Sequence, residues 1–148
     1  MYIKHWAAAA TVALLALPGI SQARDTQLYL PFQKVVAQMT AEGKIDGSVK
    51  YYLAGNQPRG KVTVVSPNAI TNKKTNAFNK SDTEACEWAL QSAILTLDSA
   101  AKKVGANAVT NIVSYYKSNA HADANNYECH AGAFIGGVAL KGDLSKVQ

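Results

Sequence analysis

The chain has 148 residues, a formal net charge of +5 and 48% apolar residues, with only two cysteines. That is enough chain for one domain with its own core. The charge excess is too small to imply a nucleic-acid partner, and the lysine cluster Lys73, Lys74 and Lys80 lacks the interleaved aromatic residues of a single-strand platform.

In chain order, Lys4 and His5 give a short basic start, and Ala7 to Leu17 is an unbroken small and apolar run. Pro18 and Gly19 then break the run, and Ser21-Gln22-Ala23 has the small-x-small pattern of a signal-peptidase site. This is the layout of a secretory signal. The apolar run falls short of the roughly 20 residues needed to span a bilayer, which argues against the competing reading of a retained membrane anchor. No cysteine adjoins the cut, so a lipid anchor is not expected. Residues 1–23 are thus expected to be removed after Ala23. Residues 24–148 would form a single periplasmic or secreted domain that does not span the membrane.

Within that domain an extended start, Gln27 to Leu30, leads to Pro31, a residue suited to a first helical turn. Phe32, Val35, Val36 and Met39 recur at helical spacing, and Gly43 is a natural stop, so a helix is predicted over 31–42. Ser48 to Ala54 and Lys61 to Ser66 are rich in Val and Tyr and flank the turn cluster 55–60, which predicts a hairpin. Residues 67–80 are polar and aperiodic, with Asn68, Asn72, Asn76 and Asn79, and read as a long surface loop. Ser81 precedes Glu84 at capping-box spacing, and Cys86, Leu90, Ala93, Leu97, Ala100, Ala101 and Val104 follow at helical period. A helix is predicted over 82–104, with Lys102 and Lys103 complementing its dipole and Gly105 closing it. Strands over 107–117 and 127–141, joined by the polar stretch 118–126, give a second hairpin. In the last strand Cys129, Ala131, Ala133, Ile135, Gly137 and Ala139 alternate on one face. Gly136 and Gly137 suggest a bulge or a close backbone approach. The expected fold is α+β, an antiparallel sheet packed by one long and one shorter helix.

Cys86 falls on the apolar face of the long helix and Cys129 on the small-residue face of the last strand. In an oxidising compartment the default reading is a Cys86–Cys129 disulfide stapling helix to sheet. Redox catalysis is the weaker alternative, since C-x-x-C is absent. A metal site using His121, His130 and a reduced cysteine is the other; Cys129 and His130 would point to opposite faces of a strand. P-loop and G-x-S-x-G motifs are absent, no carboxylate pair is evident, and no cofactor is called for. Tyr51, Tyr52, Tyr115, Tyr116 and Tyr127 fall in predicted strands, where cross-strand packing explains them and a ligand-stacking surface is the alternative. Trp88 reads as a partly buried packing residue. The candidate binding surface combines Lys73, Lys74, Asn76 and Lys80 with Tyr115 and Tyr116.

The run Gly105-Ala106-Asn107-Ala108-Val109, a strand ending in paired tyrosines, and Gly132-Ala133-Phe134-Ile135-Gly136-Gly137-Val138-Ala139-Leu140 together resemble the YbjQ-like domain. Its shape is shared with RcsF-like envelope stress sensors. The stretches Asp46-Gly47-Ser48-Val49-Lys50, Asn72-Lys73-Lys74-Thr75-Asn76-Ala77-Phe78 and Glu128-Cys129-His130-Ala131-Gly132 are similar to those of small exported proteobacterial proteins. Members of that group often carry the label of an excinuclease ATPase subunit. The label finds no support here, because Walker and zinc-finger motifs are missing. The resemblance implies a disulfide-stabilised, non-enzymatic binding or signalling domain in envelope stress or homeostasis. Its partner would be an envelope protein or small ligand. The resemblance also implies homo-oligomerisation and, for some relatives, metal binding without a defined ligand set. The lipid-anchored cysteine and second disulfide of the sensor are absent.

Overall fold

A computed structural model describes residues 24–148. The signal-peptide reading of residues 1–23 lies outside the described residues. The architecture is α+β: two helices pack on one face of a curled, mostly antiparallel sheet.

Strand β1, Thr26–Pro31, runs directly into helix α1, Phe32–Ala41. Pro31 occupies the N-cap, and Phe32, Val35 and Met39 form the buried face that their spacing predicts. The long helix α2, Asp82–Lys103, also lies where its cap and period place it. The Ser81 hydroxyl accepts a hydrogen bond from the Glu84 backbone N–H at 3.1 Å. At the other end Ala106 N–H donates to Ala101 O and Gly105 N–H to Lys102 O. Gly105 stands at φ +72°, the left-handed turn that lets those last carbonyls find donors. Between the two ends, Cys86, Leu90, Ala93, Ile94 and Leu97 face the sheet and are fully buried.

The strands depart from expectation in three places. β2, Lys50–Leu53, does not form a hairpin with the strand that follows. It pairs in parallel with β4, Ala108–Ser114, while β3, Val62–Asn76, pairs antiparallel with β6, Ile135–Val147. The turn-rich residues 55–60 therefore carry the chain between non-adjacent strands. Second, the polar stretch 67–80 is no loop up to Asn76, because β3 continues through it with a bulge around Pro67. β3 lies at the edge of the sheet with one long side unpaired by any described strand. Proline, bulges and lysines protect such an edge from pairing with other chains, so an edge strand here has the composition of a loop. Third, residues 107–117 and 127–141 are not two strands of one hairpin. β4 ends at Ser114, and a short 3-10 turn, Tyr116–Ser118, follows. β5, Asn126–Ala131, then makes a tight connection to β6.

β6 organises the sheet. One of its edges takes β3 along nearly its whole length, and the other takes β5 at its start and β4 at its end. β1 adds to β5 on the outside. Where β4 and β5 have no ladder of their own, the Ser114 hydroxyl accepts from Glu128 N–H at 2.9 Å and joins them.

The turn at 132–134 resets the alternation. Cys129 and Ala131 face α2 as expected, but beyond the turn Gly136, Val138 and Leu140 do so, not Gly137 and Ala139. Gly136 is the close approach: a Cβ there would lie 3.1 Å from the Ala85 methyl and 3.4 Å from its backbone. That contact seats the first turns of α2 and brings Cys86 to Cys129. The disulfide forms between them, with the two Cα atoms 5.8 Å apart and both residues wholly buried.

Candidate functional site

The sheet face turned away from the helices carries the polar chemistry. Lys74 pairs with Gly137, Gly137 with His130, and His130 with Gln27, so one row crosses β3, β6, β5 and β1. Paired residues project to the same face. Gly137 has no side chain, which leaves a depression between Lys74 on one side and His130 on the other. A cleft of about 510 Å³ opens there, walled by Phe134 and Ile135 and by Arg24, Asp25 and Tyr116.

The segment after β4 covers part of this face. Tyr115 N–H donates to Ala139 O at 2.9 Å, which starts the segment across the outer side of β6. Tyr116 then lies flat on His130, with ring centroids 3.4 Å apart and planes 11° apart. Lys117 and Ser118 take left-handed backbone conformations that turn the chain back, and His121 rejoins β4 through hydrogen bonds with Ser114. The His121 ring packs on Tyr29, with centroids 4.9 Å apart.

His130 is held through one ring nitrogen. Its Nδ1 lies 2.9 Å from Asp25 Oδ1. A carboxylate only accepts, so Nδ1 carries a hydrogen. Glu128 Oε2, also an acceptor, stands off at 3.7 Å, and Nε2 is buried without a hydrogen-bond partner. Glu128 is instead engaged by the amide of Gln27, which also contacts the Tyr29 hydroxyl at 2.6 Å.

The cations differ in their freedom. Arg24 makes two hydrogen bonds to Asp82, at 2.7 and 2.9 Å, and one to Gly132 O. The Arg24 hydrogen bond holds the Asp82 carboxyl below its ordinary pKa and raises that of the guanidinium. Lys74 has no carboxylate within ion-pair distance among the described residues. It is the free positive charge of the cleft.

Of the six residues expected to form a binding surface, Lys74 and Tyr116 line the cleft. Lys73 pairs with Val138 and so lies on the helix side of the sheet. Asn76 and Lys80 shape the turn into α2: Asn76 Oδ1 accepts from Phe78 N–H, and the Lys80 ammonium donates to Asn76 O at 2.7 Å. Tyr115 sits beneath Lys141, whose Nζ is 4.6 Å from the ring centroid. Tyr51 and Tyr127 belong to the core, and Trp88 stands exposed beside Lys44. His130 reaches the cleft and His121 does not line it. Both cysteines are committed to the disulfide. Among the described residues no three His, Cys, Asp or Glu side chains converge as a metal site would require.

Arg24, Asp25, Phe134, Ile135 and Gly137 were not foreseen in the cleft. The paired glycines were the available signal, but the reset at 132–134 decides which of them faces outward. A larger groove of about 880 Å³ runs between α1 and β2, lined in part by Gln33, Lys34, Tyr52 and Asn56. Two of its polar groups are engaged: Gln33 donates to Tyr51 O and Lys34 pairs with Glu87. The larger groove also holds a cation, Lys50, with no ion-pair partner among the described residues. The smaller cleft differs in setting its cation against the apolar and aromatic wall of Phe134, Ile135 and Tyr116, and chemistry rather than size decides between them. Comparison with protein-family models, curated proteins and solved structures finds no match.

Proposed function

We infer that this protein is a non-enzymatic binding module of the bacterial envelope, exported after cleavage at Ala23 and of the YbjQ-like or RcsF-like kind. The observation that carries the binding role is the cleft over Gly137, where unpaired Lys74 faces an aromatic and apolar wall. Such a site suits an amphipathic anion, a small molecule with a flat apolar body and one acidic group. The Cys86–Cys129 disulfide supports export, since buried structural disulfides belong to oxidising compartments. Among the described residues no helix is long and apolar enough to cross a membrane.

The His130 environment supports binding over catalysis. Its ring is covered by Tyr116 and its Nδ1 is tied to Asp25, an arrangement that fixes the imidazole as a wall. A role in envelope stress or homeostasis would follow from a ligand that reports on envelope chemistry.

The test uses anilinonaphthalene sulfonate, a dye with aromatic rings and one sulfonate. It is expected to bind the folded protein with one strong site. Gly137→Val fills the depression without a clash, because a Cβ there meets nothing closer than 3.8 Å. That variant should weaken the dye at least tenfold, and Lys74→Gln severalfold, with unchanged urea midpoints. Equal dye affinity in Gly137→Val and the parent chain would refute the cleft as the binding site. Intact mass of protein from the periplasmic fraction, read with and without reductant, tests the export claim. A mass that retains residues 1–23 overturns it.

A further inference from the structure

At one end of the sheet the β3–α2 connection, residues 77–81, lies beside the β5–β6 turn, residues 132–134. The Ala77 N–H donates to Phe134 O at 2.8 Å and holds them together. Both turns raise large apolar side chains into solvent. Phe78 is 57% exposed, Phe134 67% and Ile135, the first residue of β6, 54%. The two phenyl rings stack, with centroids 6.0 Å apart and planes 9° apart, so they form one patch. Single exposed apolar residues are ordinary; a stacked phenylalanine pair with a third exposed apolar residue next in sequence, at the tip of adjoining turns, asks for a partner.

Two lysines beside the patch, Lys74 and Lys80, have no carboxylate within ion-pair distance among the described residues. The Lys80 ammonium is fixed at Asn76 O, and Asn76 pairs with Ile135. Lys74 shares the cleft wall with Phe134 and Ile135. Of the nearby carboxylates, Asp82 is engaged by Arg24 and Asp25 by His130, while Glu84 in the first turn of α2 has no ion-pair partner among the described residues.

We propose that this tip docks the protein onto a membrane surface bearing anionic headgroups. Phe78, Phe134 and Ile135 enter the boundary between headgroups and acyl chains, and Lys74 and Lys80 meet lipid phosphates. Area separates this occupant from a protein partner. The three side chains expose on the order of 300 Å², whereas a stable protein interface needs about 800 Å² from each side. Shallow insertion into a bilayer interface needs only a few apolar side chains assisted by cations. The inference does not depend on the cleft having a ligand.

The experiment is vesicle co-sedimentation of protein that starts at Arg24, checked by intact mass, so that the apolar run 7–17 takes no part. Vesicles of phosphatidylethanolamine with one quarter phosphatidylglycerol should bind the protein at least tenfold better than phosphatidylcholine vesicles. Phe78→Ser with Phe134→Ser should lower binding tenfold or more, and Lys74→Gln with Lys80→Gln at least threefold. All four side chains lie at the surface, and unchanged circular dichroism and urea midpoints verify that the variants fold. Equal vesicle binding by the phenylalanine variant and the parent chain would overturn the proposal. So would a parent chain that stays in the supernatant. Self-association without vesicles that disappears in the phenylalanine variant would put a second copy of the chain on the patch, and overturn it as well.

Discussion

The two faces of the sheet are built from the same strands and have opposite chemistry. On the helix side β5 and β6 present Cys129, Ala131, Gly136, Val138 and Leu140, all small or apolar, pressed against α2 and stapled by a disulfide. On the outer side the same two strands present Glu128, His130, Gly137, Ala139 and Lys141. Their main cover is one segment that lays Tyr115 and Tyr116 over them. The inner face gains its stability by excluding water over a large area. The outer face leaves a cation and an open cleft within reach of solvent. Adjacent residues on one strand therefore meet different surroundings, one the packed helix and the next the outer face.

The strongest way to break the inner face is to remove its staple. The disulfide closes a separation of 43 residues, for which chain entropy gives roughly 4 kcal/mol, and measured values are commonly 2–4 kcal/mol. Cys86→Ala with Cys129→Ala should lose that amount in urea unfolding, and the parent chain under reductant should lose a similar amount. A loss below about 0.5 kcal/mol would show that α2 is held by packing alone.

The neighbouring glycines sharpen the contrast between the faces. Gly136→Val drives a side chain into Ala85, whose methyl and backbone lie 3.1 and 3.4 Å from the new Cβ. Overpacking of this kind costs about 1–3 kcal/mol. Gly137→Val, one residue on, meets only ordinary contacts and should change stability by less than about 0.5 kcal/mol. Paired urea titrations of the two variants check this, and equal losses would mean that the faces are not distinct in packing.

Tyr116→Ala removes the cover from the outer face. The stack on His130 is expected to contribute about 0.5–1.5 kcal/mol, read by urea unfolding. The same variant should bring the buried His130 Nε2 into contact with solvent, seen as a change in the imidazole nitrogen shifts by NMR. An unchanged His130 spectrum would contradict the cover.

The smallest effect is that of acid. The Asp46 carboxyl is held below its ordinary range by the Ser48 hydroxyl, with further help from the Ser48 N–H and Lys102, and Asp82 is held down by Arg24. A carboxyl with a lowered folded pKa stabilises the protein above its unfolded value, about 3.9. That stability is lost as pH falls through the folded value. Asp46→Asn with Asp82→Asn should therefore flatten the decline in stability below about pH 4 and leave its slope near neutrality unchanged. Water screens both carboxyls, so this is the smallest effect of the series.

Both helices were legible because their signals are local. Ser81 with Glu84, the repeat from Cys86 to Leu97, and Gly105 all act within a few residues of one another, and α2 begins and ends where they place it. The strand partners were not legible. β2 looked like half of a hairpin because turn residues follow it, yet its partner β4 lies more than fifty residues on. β3 looked like a loop because an edge strand is protected by the same residues that make loops. The cleft shared that fate. Lys74, Tyr116 and His130 were each visible, but the row through Gly137 that joins two of them exists only once β3, β6 and β5 lie side by side.

Local signals by themselves determined the helices, the α+β class and the pairing of Cys86 with Cys129. Capping, period and an even cysteine count need no knowledge of distant neighbours. Only the tertiary structure decided which strands meet, how the turn at 132–134 resets the alternation, and which of two glycines packs under a helix and which floors a cleft. In a strand the side-chain period is two, so a reset of one residue exchanges the faces, and that choice is made by the whole sheet.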